Sequence, residues 1–296
     1  MNKIILANIA AAISSISAGI SIVATRFIIF ETDPISLAFF RYFIAATCLL
    51  PILYLGLRKQ KISLNHILPI ILLGAVLYSL FPWGFSASLK YTTSAYGAIA
   101  LATMPIFTLI IACVFGKELL TRVKLLGAGL AFLGVIIAVS DDWTINTLGE
   151  KDLLGIVLML SASICAAIYS AFSRSLILIY GPILFTAMSI TVGMLLLSPI
   201  AYNVNTFSFI PIFSKMAWVS LIFLGVVGGA IQFTTYTWAL LWLTPTRTAI
   251  YLTLTPISAI ILAYIFLGEQ IGSETITGLI LVLTAIFIIN SARKNS

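Results

Sequence analysis

Residues 94–118, SAYGAIALATMPIFTLIIACVFGKE, and residues 245–269, PTRTAIYLTLTPISAIILAYIFLGE, read as two versions of one segment. Sliding 91–140 onto 242–291 without a gap gives 13 identities in 50 positions. The apolar matches carry little weight in a chain rich in Leu and Ile. The matched Pro105/Pro256, Glu118/Glu269 and Gly127/Gly278 carry more, because each marks a fixed point of a helix rather than a filler. The same offset of 151 pairs Gly74 with Gly225, and an offset of 148 carries Arg26 and Pro34-Ile35 onto Arg174 and Pro182-Ile183. The repeat therefore covers both halves of the chain, 1–140 and 153–291.

The segments between these markers are long and apolar. Apolar residues make up 61% of the chain and charged residues 8%, with a mean hydropathy of +1.17. A soluble domain has about 45–50% and about 25%. So few charges cannot cover a water-soluble globule of 296 residues, which excludes a soluble enzyme, a nucleic-acid-binding domain and a disordered chain. A helix needs about 20 apolar residues to cross the hydrocarbon core. Ten runs qualify, near 4–30, 35–57, 67–89, 94–115, 122–140, 153–180, 183–203, 216–241, 246–267 and 275–291. They are apolar all round, whereas strands of a membrane barrel alternate. The expectation is an all-α integral membrane protein, a single transmembrane domain over 1–296, with ten transmembrane helices. Five spans per half is an odd number, so the second half must enter the membrane inverted. Two inverted five-helix repeats are a recurring plan of secondary transporters.

Loop charges set the orientation. With the N-terminus inside, eleven basic residues fall on the cytoplasmic side: Lys3, Arg58, Lys59, Lys61, Lys117, Arg122, Lys124, Arg174, Arg247, Arg293 and Lys294. Only Lys90, Lys151 and Lys215 fall in outer loops. The positive-inside rule then predicts cytoplasmic N- and C-termini in the cell (inner) membrane, and it accounts for the net charge of +7 without a nucleic-acid partner. The apolar run after Lys3 is too long for a signal-peptide core and reads as a retained first helix. Cys48, Cys113 and Cys165 lie inside apolar runs as packing residues, and His66 is the one histidine, so no metal ligand set and no cofactor is expected.

On these residues the chain resembles the EamA-type transporters of the drug/metabolite transporter superfamily. Asp33-Pro34 followed by Phe40-Arg41-Tyr42 is similar to that family's Pro…Arg start of the second helix. Leu101 to Pro105 with Gly116-Lys117-Glu118, and Leu252 to Pro256 with Gly268-Glu269, are similar to its Leu-x-x-x-Pro…Gly-Glu segment, and Gly127 to Gly134 to its Gly-rich following helix. Two departures stand out: Lys117 intervenes between Gly and Glu in the first copy, and Ser189 replaces the Arg41 equivalent in the second half. The resemblance implies the ten-helix fold and transport of a small solute. It does not choose among amino acids, nucleotide-related compounds, sugars, polyamines and drugs.

A proline inside a helix removes a donor and frees a carbonyl one turn earlier, which in lipid needs a partner or a water-lined cavity. Pro105 and Pro256 stand at matching points and are the expected hinges. The cavity is therefore expected beside Tyr96–Pro105 and Arg247–Pro256. Helices one and six supply hydroxyls, with small-residue faces at Ala10-x-x-x-Ser14-x-x-x-Ala18 and Ser163-x-x-x-Ala167-x-x-x-Ala171 that read mainly as packing surfaces. The residues expected to bind the solute are Ser17, Tyr78, Trp83, Thr103, Tyr169, Gln232, Tyr236, Tyr251 and Thr255: rings with a polar tip, hydroxyls, and the one amide well inside a span. Arg26, Arg41 and Arg174 are the ionisable residues within spans, each placed where it can snorkel to an interface. No carboxylate lies in mid-span, which argues for a facilitator without ion coupling.

The expected function is a secondary carrier, exporting a small organic metabolite such as an amino acid, as a monomer or weak homo-oligomer whose partners are its small-molecule substrate and membrane lipid. An uptake carrier for a nucleotide-related metabolite is the alternative. A channel would need a charge ring that is not visible, and no nucleotide-binding loop or hydrolase motif marks an enzyme.

Overall fold

The computed structural model describes residues 3–115, 122–139, 150–208, 213–243, 251 and 254–293. Within them the chain is a helical bundle: α1 Lys3–Ile28, α2 Pro34–Lys59, α3 Leu64–Tyr91, α4 in two pieces, Ser94–Leu101 and Met104–Val114, α5 Arg122–Val139, α6 Glu150–Tyr180, α7 Pro182–Asn203, α8 Lys215–Trp242, α9 Leu254–Leu267 and α10 Ser273–Arg293. Seven of these are long and apolar enough to cross a membrane, and three shorter apolar stretches lie in α5, α9 and α10. Large apolar side chains such as Leu126, Phe266 and Phe287 are at least 70% exposed, a surface that only lipid can cover. The protein is a multi-pass membrane protein.

The helix ends follow local chemistry. Asp33 caps α2 by accepting from the Ile35 and Ser36 amides at 2.9 and 3.0 Å, with Pro34 in the first turn where its missing N–H costs nothing. Gly181, at φ 77°, turns the chain between α6 and Pro182 of α7 in a region open to glycine. Ser214 accepts from the Ala217 amide at 3.1 Å and so caps α8.

Contacts give the helix directions. Ser15 and Arg26 of α1 meet Thr255 and Glu269 in that order, so α1 and α9 run parallel. Ser163 reaches Ala100 and Phe172 packs edge-on to Phe115, so α6 runs parallel to α4. Gly155 lies against Thr92 and Tyr169 against Tyr78, so α6 is antiparallel to α3. The two crossings that carry the core are matched in form. A Cβ on Gly225 would press on Ile44 and come 3.2 Å from the Arg41 carbonyl oxygen, and one on Gly74 would press on Val192 and come 2.9 Å from that of Ser189. Both glycines are followed by a π-helical segment, Val76–Leu80 in α3 and Val226–Ile231 in α8.

At the centre a ring cluster joins five helices: Tyr78 packs edge-on to Tyr42 at 5.2 Å, Phe233 at 5.1 Å and Tyr169 at 5.8 Å, and Tyr169 stacks on Phe185 at 5.9 Å. Gly193 makes room for it, since a Cβ there would overlap Tyr78.

Candidate functional site

The break in α4 comes two residues before its proline. Leu101 ends the first piece, Ala102 and Thr103 turn with ψ near −10°, and Met104-Pro105 open the second piece. Pro105 is thus a first-turn proline rather than a kink inside a continuous helix, because there its absent N–H is not missed. At the break the Ala100 carbonyl accepts from the Thr103 amide at 3.2 Å, from the Thr103 hydroxyl at 2.6 Å and from Ser163 of α6 at 3.3 Å. In α9, described from Leu254 onward, Pro256 is buried and Thr255 donates to the Ser15 carbonyl of α1 at 3.0 Å. Arg247 and the rest of 244–250 and 252–253, Gly116 to Glu118, and the polar stretch 140–149 lie outside the described residues.

Beside the break in α4 and Thr255 of α9 is a cavity of about 80 Å3. Its wall takes Ser14, Ser15 and Ala18 from α1, Leu77 and Phe81 from α3, and Leu101, Ala102, Met104 and Pro105 from α4. Ala166, Tyr169 and Ser170 of α6, Gln232, Phe233 and Tyr236 of α8, and Thr255 of α9 complete it. Ser14 and Ser15 stand at the middle of the 26-residue α1, so the cavity lies near the membrane midplane. Several wall hydroxyls are committed: Ser14 donates to the Gln232 carbonyl at 2.9 Å, and Ser170 and Tyr236 share a hydrogen bond of 3.0 Å. The Gln232 amide oxygen accepts from Ser21 at 3.4 Å, one turn past Ala18 along α1. The wall is apolar with a few oriented polar atoms, the composition that holds a small organic solute. Its volume is below the roughly 300–1,000 Å3 of drug-sized pockets, which limits what fits in this conformation.

The structure brings Tyr169, Gln232, Tyr236, Thr255 and Pro105 together on that wall. It places the others elsewhere. Trp83 is 43% exposed, because it stands two residues, roughly 200° of helix, round from Phe81. Ser17 is buried in α1 but is not among the residues that line the cavity. Thr103 spends its hydroxyl on Ala100, one residue from the wall. Tyr78 is fully buried in the ring cluster behind Phe233. Tyr251 packs with Ala7, Ala10, Ala239 and Leu243, and Pro256 is buried in α9 beside Thr255. The wall residues outside the expected set and the stretch before Pro105 were Ser14, Ser15, Ala18, Leu77, Phe81, Ala166, Ser170 and Phe233; the Ala10-x-x-x-Ser14-x-x-x-Ala18 stripe was the available signal for Ser14 and Ala18. Nor does Arg41 snorkel: it is 3% exposed and donates through Nη2 to the Gly228 carbonyl at 2.6 Å.

Beyond the cavity, at the C-terminal end of α1, Arg26 and Glu269 meet. Arg26 Nη1 donates to the Leu89 carbonyl at 2.6 Å, and its Nε lies 3.9 Å from Glu269. Glu269 accepts the Ser94 and Ala95 amides at 3.0 and 3.3 Å, capping α4 from α9. Arg174, at the matching place in the second half, is exposed.

The profile of the EamA-like transporter family matches residues 5–140 and 153–291. The chain belongs to the EamA-like transporter family. Two Archaeoglobus fulgidus proteins, each named an uncharacterized transporter, are 26% and 28% identical to it over 92% and 87% of this chain and 94% and 88% of their own lengths. The uncharacterized transporter YyaM of Bacillus subtilis is 24% identical over 92% of this chain and 89% of its own. A solved crystal structure at 12% identity superposes with a TM-score of 0.64 over 96% of this chain and 98% of that one, a likeness of fold. Family and relatives together make this a membrane transport protein.

Proposed function

We propose that this protein is a secondary carrier that moves a small organic metabolite across the cytoplasmic membrane by alternating access, with export the favoured direction and both termini cytoplasmic. The observation that carries the reading is the midplane cavity bounded by α1, α3 and α4 of the first half and α6, α8 and α9 of the second. A carrier needs a site whose walls belong to two bodies that can rock against each other.

We read those bodies as two inverted five-helix halves, 1–140 and 153–291. Several contacts support this reading in addition to the sequence repeat. Matching glycines, Gly74 and Gly225, sit at matching crossings and each precedes a π segment. Ser214 meets Glu31 at the start of α8, while the Ser63 amide donates to Tyr180 at the start of α3. Two halves packed in two slightly different ways, exchanged by the pseudo-symmetry, give inward and outward states of similar energy.

In this conformation the Arg26–Glu269 contact holds the outer side shut. Its sequence equivalents, Arg174 and Glu118, would take over on the inner side when the cavity faces out. The test is accessibility. A single cysteine at Ser14, in a chain whose three cysteines are replaced, should react with a membrane-impermeant maleimide from either side of the membrane, with the balance set by solute. Reaction from one side only, whatever the solute, would refute alternating access.

A further inference from the structure

Arg41 is a buried cation that has no ion-pair partner among the described residues. It is 3% exposed and its Nε is buried without a hydrogen-bond partner. Nη2 is spent on the Gly228 carbonyl, and the rings of Tyr42 and Phe85 lie 5.6 and 5.8 Å from the guanidinium carbon. The acids whose side chains the structure describes are engaged elsewhere. Glu31 holds Ser214, Asp33 caps α2, Glu269 and Asp152 face Arg26, and Glu274 binds Ser273. A buried, unpaired cation is costly, and one within a membrane span persists where function uses it.

The fold itself does not need the guanidinium. The crossing of α8 over α2 at Gly225 is matched by the crossing of α3 over α7 at Gly74, each followed by a π segment. In the second of these the residue at the equivalent of Arg41 is Ser189. One crossing therefore closes with a serine where the other carries an arginine, so the arginine answers a demand outside the crossing.

The cavity lies one helical turn away. Gly228, which Arg41 holds, is four residues before Gln232, Phe85 is four after Phe81, and Ser21, which also faces Gly228, is three after Ala18. Residues three and four apart share a helix face. Arg41 thus stands over one end of the cavity, above a wall on which no described residue is charged.

We propose that Arg41 binds the carboxylate of the transported solute, so that the substrates are small monocarboxylates, including zwitterions. This rests on the carrier reading above. A guanidinium offers a planar fork that fits a carboxylate, and a single positive charge among neutral groups balances one negative charge rather than the two of a phosphate.

The test uses the purified full-length protein in lipid nanodiscs and matched probes, phenylacetate against phenylacetamide and propanoate against propanamide, with affinity and melting temperature read on the same samples. The parent should bind the acids at least about tenfold tighter than the amides, as a charge-assisted hydrogen bond allows. Arg41→Ser, which copies the second half, and Arg41→Gln, which keeps a donor for Gly228, should lose roughly ten- to a hundred-fold in acid affinity and all preference over the amide. Their ligand-free melting temperatures should equal or exceed that of the parent. The proposal is overturned if the parent prefers no acid or binds none, if both variants keep the preference, or if neither variant folds, which would make Arg41 a structural anchor. Flux into proteoliposomes separates this from the carrier reading. A parent that moves phenylacetamide as fast as phenylacetate remains a carrier without a carboxylate site. A parent that binds the acids but moves nothing keeps the site and loses the carrier.

Discussion

Replacing Glu269 by Gln should unlock the outer side of the protein. The carboxylate accepts two backbone amides, from Ser94 at 3.0 Å and Ala95 at 3.3 Å, and faces Arg26 at 3.9 Å. Gln has the same shape but one acceptor oxygen, so one of the two amide bonds is lost, the other becomes neutral, and the ion pair goes. Hydrogen bonds to a charged group contribute about 1.5–3 kcal/mol each, and the part-exposed ion pair adds little. The outward-closed state should lose about 1.5–3 kcal/mol relative to an open state that lacks these contacts. At 1.4 kcal/mol per factor of ten, that moves the balance roughly ten- to a hundred-fold toward opening. The assay is the rate at which a cysteine at Ser14 reacts with an impermeant maleimide added outside, with the melting temperature as control. Faster labelling in a still-folded Glu269→Gln protein is expected. An unchanged rate in a protein that folds like the parent would refute the assignment of this contact as the outer closure.

Tyr236→Phe removes the hydroxyl shared with Ser170 at 3.0 Å on the cavity wall; solute affinity should fall roughly two- to twelve-fold, the worth of about 0.5–1.5 kcal/mol, while Trp83→Leu, on the lipid-facing side, should leave binding as it is. Gly193→Ala drives a methyl into Tyr78; such overpacking costs about 1–3 kcal/mol, so the melting temperature should drop, and an unchanged value would mean that the ring cluster is looser than described. Reporter fusions at Lys61 and Lys124 should read cytoplasmic and one near Trp143 outside, and the reverse pattern would undo the orientation.

Much of the bundle was legible in the sequence because its signals are local. Apolar length defines a span, and Asp33-Pro34, Gly181-Pro182 and Gly268-Glu269 mark helix ends by cap chemistry. The faces were not legible, for a physical reason. In a helix that is apolar all round no polar stripe points away from the protein, so Trp83, facing out, and Phe81, facing in, look alike. The π segments at Val76–Leu80 and Val226–Ile231 arise where α3 and α8 cross α7 and α2 over Gly74 and Gly225, and crossings are tertiary. Arg41 was misplaced for the same cause: its depth in the span fits snorkelling, but the Gly228 carbonyl on another helix draws it inward. Gln232 was found because a lone amide in a span must have a partner, and Ser21 supplies it.

The central claim, a carrier with one site between two bodies, is tested most directly by counterflow in proteoliposomes containing the purified protein. With a saturating unlabelled carboxylate inside and a trace of the labelled one outside, the label should accumulate transiently, saturate with concentration, and need no proton or sodium gradient. Entry that rises linearly with concentration and is indifferent to unlabelled solute inside would contradict the account.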